Sequence, residues 1–138
     1  MRLRTIPTRL ATGAYILHSG LSKRNAPPEM AAGLHGMAAA AYPFLKDLQP
    51  KDFVQGLSIT ELTIGSLLLT PVVPTRLAGL ALTGFGGGLV TMYLRSPSLR
   101  KPGSIWPAPA GTAISKDVWM LGIGLGLLID SLTDRKGR

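Results

Sequence analysis

The chain contains no cysteine. That excludes disulfides, iron–sulfur clusters, thiol relays and cysteine-type zinc sites. Histidine is scarce, with only His18 and His35; they could pair as haem ligands, but nothing in their sequence setting argues for it. There is no HExxH, no Ser–His–acid grouping and no phosphate loop, since GFGGGL (84–89) follows no strand and has the wrong spacing. No metal site and no cofactor is expected. Charge is also sparse: 16% of the 138 residues, against about 25% in soluble domains.

What is present is apolar and arranged in blocks. Residues 77–94, LAGLALTGFGGGLVTMYL, run for 18 positions without a charge, and residues 56–73 are interrupted only by Glu61. At ~1.5 Å of rise per residue, such a run approaches the ~30 Å hydrocarbon core of a bilayer. The net charge is +8, and the cations stand at the ends of the apolar blocks: Arg9, Lys23 and Arg24, Arg76, Arg95, Arg100 and Lys101. Cations held at membrane interfaces have that layout. A nucleic-acid binder would group them on one face among aromatics, so the expected surrounding is a lipid bilayer and not nucleic acid.

The expected fold is all-α: a transmembrane four-helix bundle with an additional amphipathic interfacial helix after the first span, all in a single domain, 1–138. The spans fall at about 8–22, 53–73, 77–94 and 115–132. The first has only 13 residues between Arg9 and Lys23, so both cations must snorkel if it crosses. Residues 1–22 imitate a signal peptide, but the apolar middle is short and Pro7 sits just inside the basic start, so they are expected to remain as the first helix. In 28–48, Met30, Leu34, Met37, Ala41, Phe44 or Leu45, and Leu48 recur in steps of three and four. That pattern predicts an interfacial helix kinked at Pro43, with a fifth, weak span as the alternative. The loop 96–114 carries four prolines, and its Trp106 suits the headgroup zone. With seven cations on one side and eight on the other, charge leaves the orientation open.

Small residues predict how the spans pack. Gly79, Thr83, Gly87 and Thr91 recur every four residues, with Gly84 and Gly88 in a row beside them and Gly122 and Gly126 on the last span. Rows of this kind let helix backbones approach closely in lipid.

Chain reversal sorts the polar residues. The end of span one, the start of span two, the end of span three and the start of span four share one mouth. It collects His18, Lys23, Glu61, Arg95, Lys116 and Asp117. An isolated acid at the depth of Glu61 costs on the order of 3 kcal/mol, so a partner is expected, with Lys23, His18 and Lys116 as candidates. At the opposite mouth Arg9 is expected to pair with Asp130. Glu61 is open to two readings: a ligand, proton or quinone site, or a salt bridge that fixes the bundle.

RLATGAYILHSGLSK (9–23), ELTIGSLLLTPVVPTRLAGLAL (61–82) and KDVWMLGIGLGLLID (116–130) together resemble the DoxX family of small bacterial membrane proteins. Arg9, Gly20, Lys23, Glu61, Lys116 and Asp117 occupy the places that the family pattern gives to an Arg, a Gly, a Lys, a Glu and a Lys-Asp pair. The resemblance implies a four-helix bundle in the bacterial plasma membrane and a link to redox biology: thiosulfate–quinone oxidation and membrane complexes that recruit oxidative-stress enzymes. It supplies no catalytic residues. The long 24–52 insert departs from the family, and the lack of cysteine argues against sulfur chemistry by this chain itself. The expected function is a small non-catalytic membrane subunit, an accessory or scaffold for a larger redox-linked complex. Its expected partners are other membrane subunits or a second copy. A quinone-linked module or small-molecule carrier, with its site around Glu61, is the rival.

Overall fold

A computed structural model of the chain describes residues 2–96, 99–109 and 117–133. These residues form five α-helices and no β-strand. A 3-10 turn at Leu3–Thr5 leads into α1 (Ile6–Lys23); α2 (Pro28–Ala41) follows, then a second 3-10 turn (Pro43–Asp47), α3 (Pro50–Leu69), α4 (Thr75–Arg95) and α5 (Val118–Thr133). Prolines set the boundaries. Pro28 and Pro50 open α2 and α3 at the first helical position, where no amide hydrogen is needed. Pro71 forces Thr70 into an extended conformation, so α3 stops at Leu69, short of the expected 73.

Among the described residues, α4 alone is long and apolar enough to cross a membrane by length and composition; α5 is apolar but shorter, at 16 residues. α1 and α3 are long enough but less apolar, α1 carrying Arg9, His18 and Lys23 and α3 carrying Lys51, Asp52 and Glu61.

The helices associate as two close antiparallel pairs. In the first, Gly13 of α1 faces Gly65 and Leu68 of α3, and Gly20 faces Ser58 and Leu62. In the second, Gly79 of α4 faces Gly124 and Leu128 of α5, and Gly86 faces Leu121. Backbones touch at these points. A Cβ on Gly65 would stand 2.8 Å from the Leu17 amide nitrogen, and one on Gly124 would stand 2.6 Å from Thr83 Oγ1. Ile16, Ile64, Leu68, Ala78, Leu82 and Leu127 fill the space between the two pairs.

The seams therefore run on a spacing of seven (Gly13 and Gly20, Ser58 and Gly65, Gly79 and Gly86) and not on the expected spacing of four. Seven residues return to nearly the same side of a helix, whereas each step of four advances ~40° around it. Gly79 and Thr83 of the expected row lie on the seam. Gly87 meets only the tip of Leu121, at 3.9 Å, and Gly84, Gly88, Gly122 and Gly126 have no neighbour within 4 Å of where a Cβ would stand.

α2 lies against the ends of α3 and α4. The contact is alanine-rich: Ala38 and Ala41 are buried with Met92, and Met37, Leu45, Phe53 and Leu89 pack around them. The expected apolar line is only partly used, because Met30, Phe44 and Leu48 point outward. Pro43 does not kink this helix but ends it, and the chain continues as the 3-10 turn. His35 is fixed there through Nε2 to the Leu45 carbonyl at 2.7 Å, with its ring edge-on to Phe53. Tyr42 donates to the Gly88 carbonyl at 2.8 Å. Beyond α4, residues 99–109 fold back on themselves through one bridge, Arg100 to Pro107, around Gly103 at φ +67°.

Gly124→Ala should lower the thermal midpoint of the purified protein by several degrees, since overpacking costs about 1–3 kcal/mol. Gly126→Ala, in open space, should leave it unchanged. Paired melting curves check this, and equal shifts would contradict the seam.

Candidate functional site

Two polar clusters sit inside the bundle, one near each end. The first is built on Arg9, which is fully buried and has no carboxylate partner among the described residues. Its Nε donates to the Leu68 carbonyl at 2.9 Å. One terminal nitrogen donates to the Leu67 and Thr70 carbonyls at 2.9 and 3.1 Å. The other donates to the Val73 carbonyl and the Thr75 hydroxyl, both at 3.1 Å. All five donors of the guanidinium are thus used. The last carbonyls of a helix have no partner within it and form its negative pole, so Arg9 of α1 caps α3 and pins the α3–α4 turn. The expected pairing of Arg9 with Asp130 does not form. Asp130 instead takes Arg4, at 2.7 Å. That contact is partly exposed and contributes about 0–1 kcal/mol.

The second cluster joins α1 to the middle of α3. Lys23 Nζ lies 3.1 and 3.0 Å from the two Glu61 carboxylate oxygens and 2.6 Å from Ser19 Oγ. Those are the three bonds an ammonium can donate. Both side chains are largely buried, at 13% and 8% exposure. Ser58, one turn before Glu61, donates to the Gly20 carbonyl at 2.7 Å and holds α1 and α3 in register beside the pair.

The remaining mouth residues are more dispersed. Asp117, at the entry to α5, lines the same cavity as Lys23 and Glu61. His18 is on an exposed face of α1. Arg95 stacks over the Tyr42 ring at 5.6 Å instead of reaching Glu61. Lys116 lies outside the described residues.

The cavity beside Lys23 and Glu61 measures about 240 Å³. All five helices contribute to it: Tyr15 and Ser19 from α1, Met37 from α2, Phe53 and Leu57 from α3, Leu89 and Met92 from α4, and Met120 from α5. Its wall is apolar except along the side formed by Ser19, Lys23, Glu61 and Asp117. Such a space admits a small apolar molecule carrying one hydrogen-bonding group. A second, wider cleft of about 790 Å³ runs between α1 and α5, with Gly122 and Gly126 open to it and the Arg4–Asp130 pair beside it. Among the described residues no group of three or more His, Asp or Glu is placed to hold a metal ion.

No family model matches the chain, and no curated protein or solved structure does.

Composition and span placement alone did not reveal the capping role of Arg9 or the part played by Ser58, Gly13, Gly65 and Gly124. The spacing of seven among small residues is the signal that points to the glycines. For Arg9 the signal is faint: an arginine near the start of one helix, with Pro71 ending another early enough to expose its carbonyls.

Arg9→Lys keeps the charge but supplies three donors in place of five. A buried carbonyl left without a donor costs about 1–3 kcal/mol. The variant should therefore lose roughly 2 kcal/mol or more in denaturant unfolding, and Arg9→Met should lose more. A stable Arg9→Met protein would remove the cap from the account.

Proposed function

We propose that this chain is a DoxX-like multi-pass protein of the bacterial plasma membrane. α1, α3, α4 and α5 form its four-helix bundle, and α2 lies at the interface. Its role in this reading is that of a non-catalytic accessory subunit in a larger, redox-linked membrane complex. The observation that carries the membrane part is the division of polarity. The buried charges Arg9, Lys23 and Glu61 are satisfied inside the protein. The outward faces carry Leu10, Leu21, Ile59, Leu77, Leu80, Leu125 and Ile129. Outward threonines 60, 63, 91 and 133 bond to carbonyls of their own helices. Lipid demands this arrangement, because it offers polar groups no water. A soluble monomer rarely exposes so much apolar surface.

The accessory role draws support from the α1/α5 cleft. Gly122 and Gly126 make its wall shallow enough to seat a helix of another subunit, in the way small residues admit neighbours in bilayers. The protein should resist alkaline carbonate extraction and, in mild detergent, elute with a stoichiometric partner. Gly126→Leu should fill the cleft and remove the partner without changing the melting temperature. A protein that carbonate releases, or that elutes alone, would count against this reading.

The cavity beside Glu61 favours a second reading, a small-molecule site for a quinone or a similar apolar ligand. The two readings diverge on Glu61→Gln. If the pair is a strut, the variant loses about 3 kcal/mol of stability, and the double variant Lys23→Met/Glu61→Leu recovers most of it. If the pair serves a ligand, Glu61→Gln keeps the bundle assembled and abolishes binding of an added quinone, measured by fluorescence quenching.

A further inference from the structure

A third concave surface lies on the outer side of the Lys23–Glu61 cluster and shares Lys23 with it. The end of α1, the start of α2 and the start of α3 enclose a cleft of about 460 Å³. Three cations line it, Lys23, Arg24 and Lys51, and no acidic side chain does. Glu29 and Asp52 stand in the first turns of α2 and α3 but outside its wall. Lys23 is already committed to Glu61. Arg24 and Lys51 carry no side-chain hydrogen bond or ion pair among the described residues. The floor is apolar, made of Ala31, Ala32 and Val54. The backbone at Arg24 is held in place, because Gln55 Nε2 donates to its carbonyl at 2.9 Å.

We propose that this cleft binds the headgroup of an anionic phospholipid. The phosphate sits between Arg24 and Lys51, and the glycerol and upper acyl chain lie on the alanine and valine floor. Three properties select this ligand. Two uncommitted cations with no facing acid call for an anion. The apolar floor beside them suits an amphiphile better than a free ion. The level of the cleft, at the end of α1 and the start of α3, corresponds to the headgroup layer of the proposed bundle. Basic pockets between membrane helices recognise acidic headgroups by this chemistry. The assignment rests on the membrane reading above.

The test uses the full chain in detergent, offered phosphatidylglycerol and phosphatidylcholine in equal amounts and examined by native mass spectrometry. Wild type should retain phosphatidylglycerol in preference. Each basic residue at such a site contributes about fivefold, so Arg24→Gln/Lys51→Gln should weaken retention by about 25-fold. Both side chains are exposed and unpaired, so the fold should survive, and an unchanged melting curve without lipid would verify this. Arg76→Gln/Lys101→Gln removes the same charge elsewhere and should leave retention intact.

Equal retention by wild type and the Arg24/Lys51 variant overturns the cleft. So does equal loss in the Arg76/Lys101 variant, which would mean that net charge alone governs binding. Stabilisation of wild type by millimolar inorganic phosphate, lost in the Arg24/Lys51 variant, would assign the cleft to a soluble anion and overturn the lipid. Release of wild type by carbonate overturns the membrane reading itself, whereas an integral protein without lipid preference overturns the cleft alone.

Discussion

The bundle depends first on an arginine whose donors are all taken by main-chain carbonyls and one hydroxyl. Arg9 places a full positive charge among five main-chain and hydroxyl oxygens at the end of α3. A helix terminus supplies about half a unit of negative charge spread over several carbonyls, and a guanidinium is the side chain whose planar fan of donors can meet them all. One residue thereby ties α1, the end of α3 and the first residue of α4 together. The α1–α3 register, and with it the meeting of Lys23 and Glu61 four turns away, follows from that fixed end.

The two polar clusters balance charge by different means. At one end the compensation is dipolar, from carbonyls; at the other it is ionic, from a carboxylate. Both satisfy a buried charge with partners inside the protein, which the interior of any fold requires. Between them the seams are made of glycine and serine, so the helices hold each other by backbone proximity and by few large side chains.

Much of the architecture was legible in the sequence, and the misses have physical causes. The apolar blocks and prolines locate α1, α3, α4 and α5 to within a few residues, whereas α2 ends at Ala41, seven residues before the expected 48. Chain reversal alone brings Lys23 and Glu61 to one mouth, and there they meet at 3.0 Å. Arg9 was not legible in the same way: pairing by charge looks for a carboxylate, and main-chain carbonyls have no letter in a sequence. Glycine rows on a spacing of four gave the right helices but largely the wrong face, since long antiparallel seams follow the seven-residue return. α2 docks mainly by alanines, because Met30 points outward and the chain has left the helix before Phe44 and Leu48.

The distance along the chain between Arg9 and the groups it caps bears on how the protein is made. Those groups are 58 to 66 residues downstream. On the ribosome, α1 therefore emerges with a cation whose partners have yet to be synthesised, and α2, which is apolar and follows next, supplies none of them. The first helix stays provisional until the turn after α3 has been translated. Only then are all the acceptors of Arg9 present, so its cap on α3 can close no earlier than the translation of Thr75.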